Sequence, residues 1–145
     1  GGQDTPTSPD TAAFVAEVLR LTNEQRVLNG CEPLTYNQRL RNAAQAHAVD
    51  MATRDYLDHY TPEGASFADR VTAAGYSWRG VSENIGGGYL TPQAVVDGWM
   101  ASELHRANIL RCARTEIGIG YYYLADDPGT INVQHYWVQI LATPR

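Results

Sequence analysis

Ile117-Gly118-Ile119-Gly120-Tyr121-Tyr122-Tyr123-Leu124 sets Ile117, Ile119, Tyr121 and Tyr123 against Gly118, Gly120, Tyr122 and Leu124. Alternation with a period of two is the mark of a strand whose faces differ. Asp126-Asp127-Pro128-Gly129 follows, with proline before glycine as a type II turn prefers. A return strand from Ile131 to about Leu141 is then expected. That segment is apolar at odd and even positions alike, so it should lie centrally in a sheet covered on both sides.

Upstream of this hairpin the period changes to that of a helix. Asp10 can cap a helix to about Asn29, in which Phe14, Val18, Leu21, Gln25 and Leu28 recur at helical spacing and Gly30 supplies the stop. A second helix is expected from Asn37 to Arg54, with Leu40, Ala43, Ala44, His47 and Met51 on one face. Its many alanines suit close packing against a neighbouring layer. Ser66-Phe67-Ala68-Asp69 resembles a capping box for a short helix ending at Gly75. Val81 to Ile85 reads as a short strand ended by Gly86-Gly87-Gly88. Thr91-Pro92 starts a helix carrying Val95, Val96 and Trp99 toward Leu104, and a further turn covers His105 to Leu110. Helices first and antiparallel strands last predict an α+β fold with helices packed on a sheet. No repeat and no linker divides the chain. Residues 1–10 are polar and read as a tail, and residues 11–145 as one domain.

With 145 residues the domain is large enough to fold without a metal or a mesh of disulfides. No apolar run approaches the roughly 18 residues of a membrane-spanning helix. The net charge of −5 argues against nucleic-acid binding, which needs basic surface to neutralise phosphates. All eleven cationic residues are arginine, scattered along the chain without a basic run. Cys31 and Cys112 both fall in loops and lack metal-ligand spacing. They suit a disulfide better than zinc, and two separate buried thiols equally well. No signal peptide is visible, as in a secreted chain already freed of its leader and equally in a cytosolic one.

Four histidines are present. His47 sits on the alanine-rich helix face and His135 in mid-strand, both places for a satisfied core histidine. His59 lies in the turn-rich loop Asp58-His59-Tyr60-Thr61-Pro62 and His105 at an element boundary, where side chains can reach a cleft. Glu83, before the triple glycine, can either cap loop amides or converge with these two. No HExxH, GxSxG, phosphate-loop or dinucleotide-binding pattern occurs.

Taken together, Leu40-Arg41-Asn42-Ala43-Ala44-Gln45-Ala46-His47, Asp58-His59-Tyr60-Thr61, Asp69-Arg70, Ser82-Glu83-Asn84-Ile85-Gly86 and Trp99-Met100-Ala101-Ser102-Glu103-Leu104-His105-Arg106-Ala107-Asn108-Ile109-Leu110 resemble the CAP superfamily, in its short bacterial branch. That superfamily holds cysteine-rich secretory proteins, venom antigens and plant pathogenesis-related proteins. The resemblance implies a three-layer α-β-α sandwich around a mainly antiparallel sheet, secretion, and a cleft of two histidines and two glutamates. Matched by position, the histidines fall on His59 and His105 and the first glutamate on Glu83. The second falls on Ser102, with Glu103 one step and roughly 100° away around a helix. The resemblance also implies that Cys31 and Cys112 are paired, which fits an oxidising compartment.

Three functions are compatible with this reading. The first is a non-enzymatic extracellular binding module, monomeric, whose ligand is a small molecule, lipid, glycan or protein. Its cleft would hold Zn²⁺ or another divalent cation through His59, His105 and Glu83, with Glu103 as a further candidate, and would lose it below about pH 6. The second is a hydrolase in which His59 or His105 is the base, Glu83 orients it, and Ser102 or a metal-bound water attacks. The third is a purely structural polar cluster.

Overall fold

The computed structural model describes residues 9–145; the expected tail at residues 1–8 lies outside them. The elements run α1 (Thr11–Leu28), β1 (Thr35–Tyr36), α2 (Gln38–Thr53), α3 (Phe67–Ala73), β2 (Trp78–Gly87), α4 (Pro92–Ala101), α5 (Glu103–Ile109), β3 (Glu116–Tyr123) and β4 (His135–Pro144). The strands form one sheet in the order β1-β3-β4-β2, antiparallel except where β1 runs parallel to β3. The fold is α+β. β4 is central, and eight of its residues, His135 to Ala142, are buried on both faces as its apolar run demands.

The strand alternation sorts the core into two layers. Ile117, Ile119, Tyr121, Trp137 and Leu141 face α1, α4 and α5, packing with Val18, Leu21, Val95, Val96, Trp99 and Ile109. Tyr136, Val138, Ile140 and Ala142 face α2 and α3, packing with Leu40, Ala43, Ala44, Ala48, Met51 and Val71. Gly118 and Gly120 point to this second layer. A Cβ on either would come closer than 3.0 Å to α2 backbone atoms, at Leu40 and Arg41 for the first and at Ala44 and Gln45 for the second. The helix axis therefore sits unusually near the sheet, and the alanines of α2 and the glycines of β3 are two halves of one interface.

Local signals set the helix ends. Asp10, Asn37, Ser66 and Thr91 accept hydrogen bonds from the first-turn amides, and Ser66 with Asp69 completes the capping box. Three expectations need correction. The helix begun at Thr91-Pro92 stops at Ala101 instead of running toward Leu104, and α5 starts at Glu103 instead of His105, because the backbone at Ser102 is extended. β2 extends to Trp78 and Gly87 because β4 offers it a partner along its whole length. β4 starts at His135 rather than Ile131. Asn132 and Gln134 take left-handed backbone angles, and the amides of Thr130, Ile131 and Gln134 turn to the carboxylates of Asp55 and Asp127 instead of a ladder. A tight Pro-Gly hairpin is replaced by a loop pinned by two carboxylates.

Cys31 and Cys112 form a disulfide with Cα atoms 5.0 Å apart, closing an 81-residue separation. On the chain-entropy account such closure stabilises by about 4–5 kcal/mol. Beside it, the buried Arg26 guanidinium donates to four backbone carbonyls. Nε reaches Glu32 O at 2.9 Å, Nη1 reaches Ile109 O at 2.8 Å and Arg111 O at 3.1 Å, and Nη2 reaches Arg114 O at 2.8 Å. Crosslink and guanidinium thus bind the same two loops together.

Candidate functional site

β2 is an edge strand, so side chains at its middle can be reached from both helical layers. Glu83 pairs with Ile140 in register and points to the α2–α3 side. Arg70 of α3 meets it in a fork: Nη1 donates to Oε2 at 2.8 Å and Nη2 to Oε1 at 3.0 Å. Nη2 also donates to the carbonyl of His59 at 2.7 Å, which fixes the loop carrying that histidine. Arg70 Nε is left without a hydrogen-bond partner, the single such sealed side-chain atom among the described residues.

His59 closes the arrangement, with Nδ1 2.8 Å from Glu83 Oε1. A carboxylate has no hydrogen to give, so Nδ1 carries the proton and donates. Nε2 then keeps its lone pair. The Glu83 side chain is wholly buried, whereas that of His59 is 39% exposed, so the dyad runs from the interior to the surface. His105, in the first turn of α5, is near enough for the charge of His59 to disfavour its protonation. Burial is the larger cause of that depression. The structure joins His59 to Glu83 by a hydrogen bond and holds the backbone of His105 against the neighbouring Asn84 on the same edge strand.

Ser102 and Glu103 are not drawn into this group. Ser102 is the residue at which α4 ends and α5 begins, and its hydroxyl makes no capping bond. Glu103 is exposed on α5. Neither is hydrogen-bonded to His59, Glu83 or His105, and among the described residues no three His, Cys, Asp or Glu side chains form a metal cage.

Three side-chain amides with no motif to mark them in the sequence hold α5 in place. Asn108 Nδ2 donates to Asn84 Oδ1 at 2.8 Å and to the Glu83 carbonyl at 3.3 Å. Asn84 Nδ2 donates to the His105 carbonyl at 3.1 Å and to Gln139 Oε1 at 3.0 Å. This amide network carries the backbone of His105 on the same strand that carries Glu83. Asn84 and Asn108 fall in stretches that carried the family resemblance and Gln139 in the expected return strand, but a polar residue in a strand or helix gives no sign of its partner.

The remaining histidines are structural. His47 is buried and its Nε2 donates to the Asp58 carbonyl at 2.8 Å, bracing the loop before His59. His135 is buried with Nδ1 hydrogen-bonded to the Tyr121 hydroxyl at 2.7 Å. Burial lowers the pKa of both. Below about pH 6.5 the unfolded chain takes up protons that these rings refuse in the fold. Stability is therefore fully present above that pH and is expected to drop as pH falls through it. Melting temperatures measured from about pH 7.5 down to 5 check this, and His47→Gln should flatten the slope.

Comparison with known proteins agrees with this architecture. Residues 19–141 match the family described as "CAP: Cysteine-rich secretory protein family". The chain is 40% identical over 110 residues to the Bacillus subtilis (strain 168) uncharacterized protein YkwD, covering 76% of this chain and 43% of that protein. It is 33% identical to the uncharacterized membrane protein YlbC of the same organism, over 72% of this chain and 30% of that protein. The chain thus spans less than half the length of either. Among solved structures, an extracellular protein containing a SCP domain from Bacillus anthracis (strain Ames) superposes with a TM-score of 0.82. Identity is 24%, over 97% of this chain and 45% of that one. An outer surface protein of Borrelia burgdorferi gives 0.84 at 16% identity, over 96% of this chain and 98% of that one.

Proposed function

The chain belongs to the cysteine-rich secretory protein family, and from that premise we propose that it is a secreted, non-enzymatic binding domain whose cleft takes a divalent cation weakly, through His59 and His105. The observation carrying this reading is the hydrogen bond from His59 Nδ1 to Glu83. A carboxylate behind one ring nitrogen fixes the tautomer and leaves the other free, the support that metal-bound histidines receive in many sites. Glu83 fits that supporting role better than direct ligation, since both its oxygens already accept from Arg70 and it has no exposed surface. Burial, and then the charge of His59, lower the pKa of His105, which favours the ring form with a lone pair to offer. Two imidazoles suit Zn²⁺ better than Mg²⁺, with water completing the shell. Two ligands rather than four make the binding weak. The disulfide fits an oxidising, extracellular compartment. The Bacillus anthracis and Borrelia neighbours, extracellular and outer-surface proteins, point the same way.

Calorimetric titration with Zn²⁺ tests the proposal. Wild-type protein is expected to give a saturable heat at about pH 7.5 that vanishes in a His59→Ala, His105→Ala double variant. Equal heats from both proteins would remove the cation from the cleft.

The Arg70 fork favours a second reading, in which the cluster serves only to fasten the α2–α3 loop to β2. On that reading the double variant melts at a lower temperature, and neither protein binds metal. The hydrolase reading gains no such support, because Ser102 has no base within hydrogen-bonding distance among the described residues.

A further inference from the structure

At the end of α5 away from His105, the α5–β3 loop meets the paired ends of β2 and β4. Arg79, Arg111 and Arg114 converge there on a hollow of about 500 Å³, with Thr115 and Thr143 in its wall. In the sequence these arginines are spread over 35 positions and form no motif. The fold makes them neighbours.

Arg114 is the fixed member. It is 6% exposed, and its guanidinium lies over Gly80, where any side chain would collide with it. Nε donates to Ser82 Oγ and Nη1 to Thr143 Oγ1, each at 3.1 Å. Among the described residues Nη2 has no hydrogen-bond partner. It is not among the sealed unpartnered atoms, and Arg114 lines the hollow. Arg79 and Arg111 are exposed, and their side chains make no hydrogen bond among the described residues. None of the three arginines has a carboxylate within ion-pair distance among the described residues.

Burial, and then the charge of Arg111, push the Arg114 guanidinium down from its ordinary value. Two like charges face one another at a corner of a protein whose net charge is −5. The loop is also preset. Arg26 engages the carbonyls of Ile109, Arg111 and Arg114, and the Cys112 disulfide anchors the segment between them.

We propose that this hollow is a binding site for a phosphoryl group. Nη2 of Arg114 is its rigid donor, Arg79 and Arg111 close on the remaining oxygens, and the Thr115 hydroxyl is a further donor. Three converging cations match a tetrahedral dianion better than a singly charged planar carboxylate, and guanidinium forks suit phosphate oxygens. The group is either free phosphate or a lipid phosphate headgroup, which present the same chemistry to the site.

Titration with inorganic phosphate at low ionic strength tests the proposal, using wild type, Arg79→Gln/Arg111→Gln and the His59→Ala/His105→Ala protein. Saturable binding is expected, weakened about tenfold or more by the arginine double variant and unchanged by the histidine one. The two arginines support nothing else in the fold, so that variant should melt as wild type does. Absence of saturable binding, or equal binding by the arginine variant, overturns the site. A parallel comparison of glycerol phosphate with vesicles carrying phosphatidic acid shows which source is preferred. If the arginine variant loses affinity for neither, the proposal fails.

Discussion

Gly120→Ala is expected to destabilise the protein by at least about 3 kcal/mol, a large share of the roughly 5–15 kcal/mol that holds a domain of this size together. A methyl group there has nowhere to go. It would overlap the Ala44 carbonyl and the Gln45 nitrogen, which belong to helix backbone and cannot rotate aside like a side chain. The whole of α2 would have to lift from β3, opening the layer that Leu40, Ala44, Ala48 and Met51 fill against Val138 and Ile140. Gly118→Ala should behave alike, through Leu40 and Arg41. Chemical denaturation of both variants measures the effect. Alanine at the exposed, left-handed Gly64 gives the contrast, since nothing lies within 4 Å of a Cβ there and only the local backbone cost of about 1 kcal/mol remains.

Arg26→Met is expected to cost about 4 kcal/mol, although it replaces a buried charge with an apolar chain of similar length. Swapping both members of a buried ion pair for apolar residues can be neutral, but here the partners are backbone carbonyls and cannot be exchanged. Removing the guanidinium leaves the oxygens of Ile109 and Arg114 buried without a donor, at about 1–3 kcal/mol for each such group. Denaturation midpoints of Arg26→Met with the disulfide intact and reduced measure how far the two anchors overlap. Because both restrain the same loops, their combined loss should be smaller than the sum of the separate losses.

These two sites also show where the sequence was informative. The β3 alternation and the alanines of α2 were both visible, and together they specify the sandwich layer that the glycines make tight. Caps at Asp10, Ser66 and Thr91 were legible because a cap acts within three residues of itself, whereas Asn37, read as the first residue of its helix, is the cap before it. Arg26 was not legible. Its partners are 6 to 88 residues away and are all main-chain oxygens, which no side-chain pattern records. His59, Glu83 and His105 were found through family resemblance, since intervals of 24 and 22 residues follow no helix or strand period. Arg70 went unassigned in the same stretch that revealed its capping box, because its purpose depends on Glu83 across the fold. The strand onset at His135 was hidden for a related reason. Val133 and Ile131 look like strand residues, and the Asp55 carboxylate that bends the chain there is some 75 residues upstream.

The tautomer of His59 is the feature on which the proposed cation site turns. Long-range ¹H–¹⁵N NMR at about pH 8, where a histidine ring is ordinarily neutral, reads it directly. The predicted result is a hydrogen on Nδ1 and a bare, pyridine-like Nε2 whose signal shifts when Zn²⁺ is added. A spectrum with the hydrogen on Nε2, unchanged by Arg70→Gln or Glu83→Gln, would contradict the dyad and with it the cleft's proposed purpose.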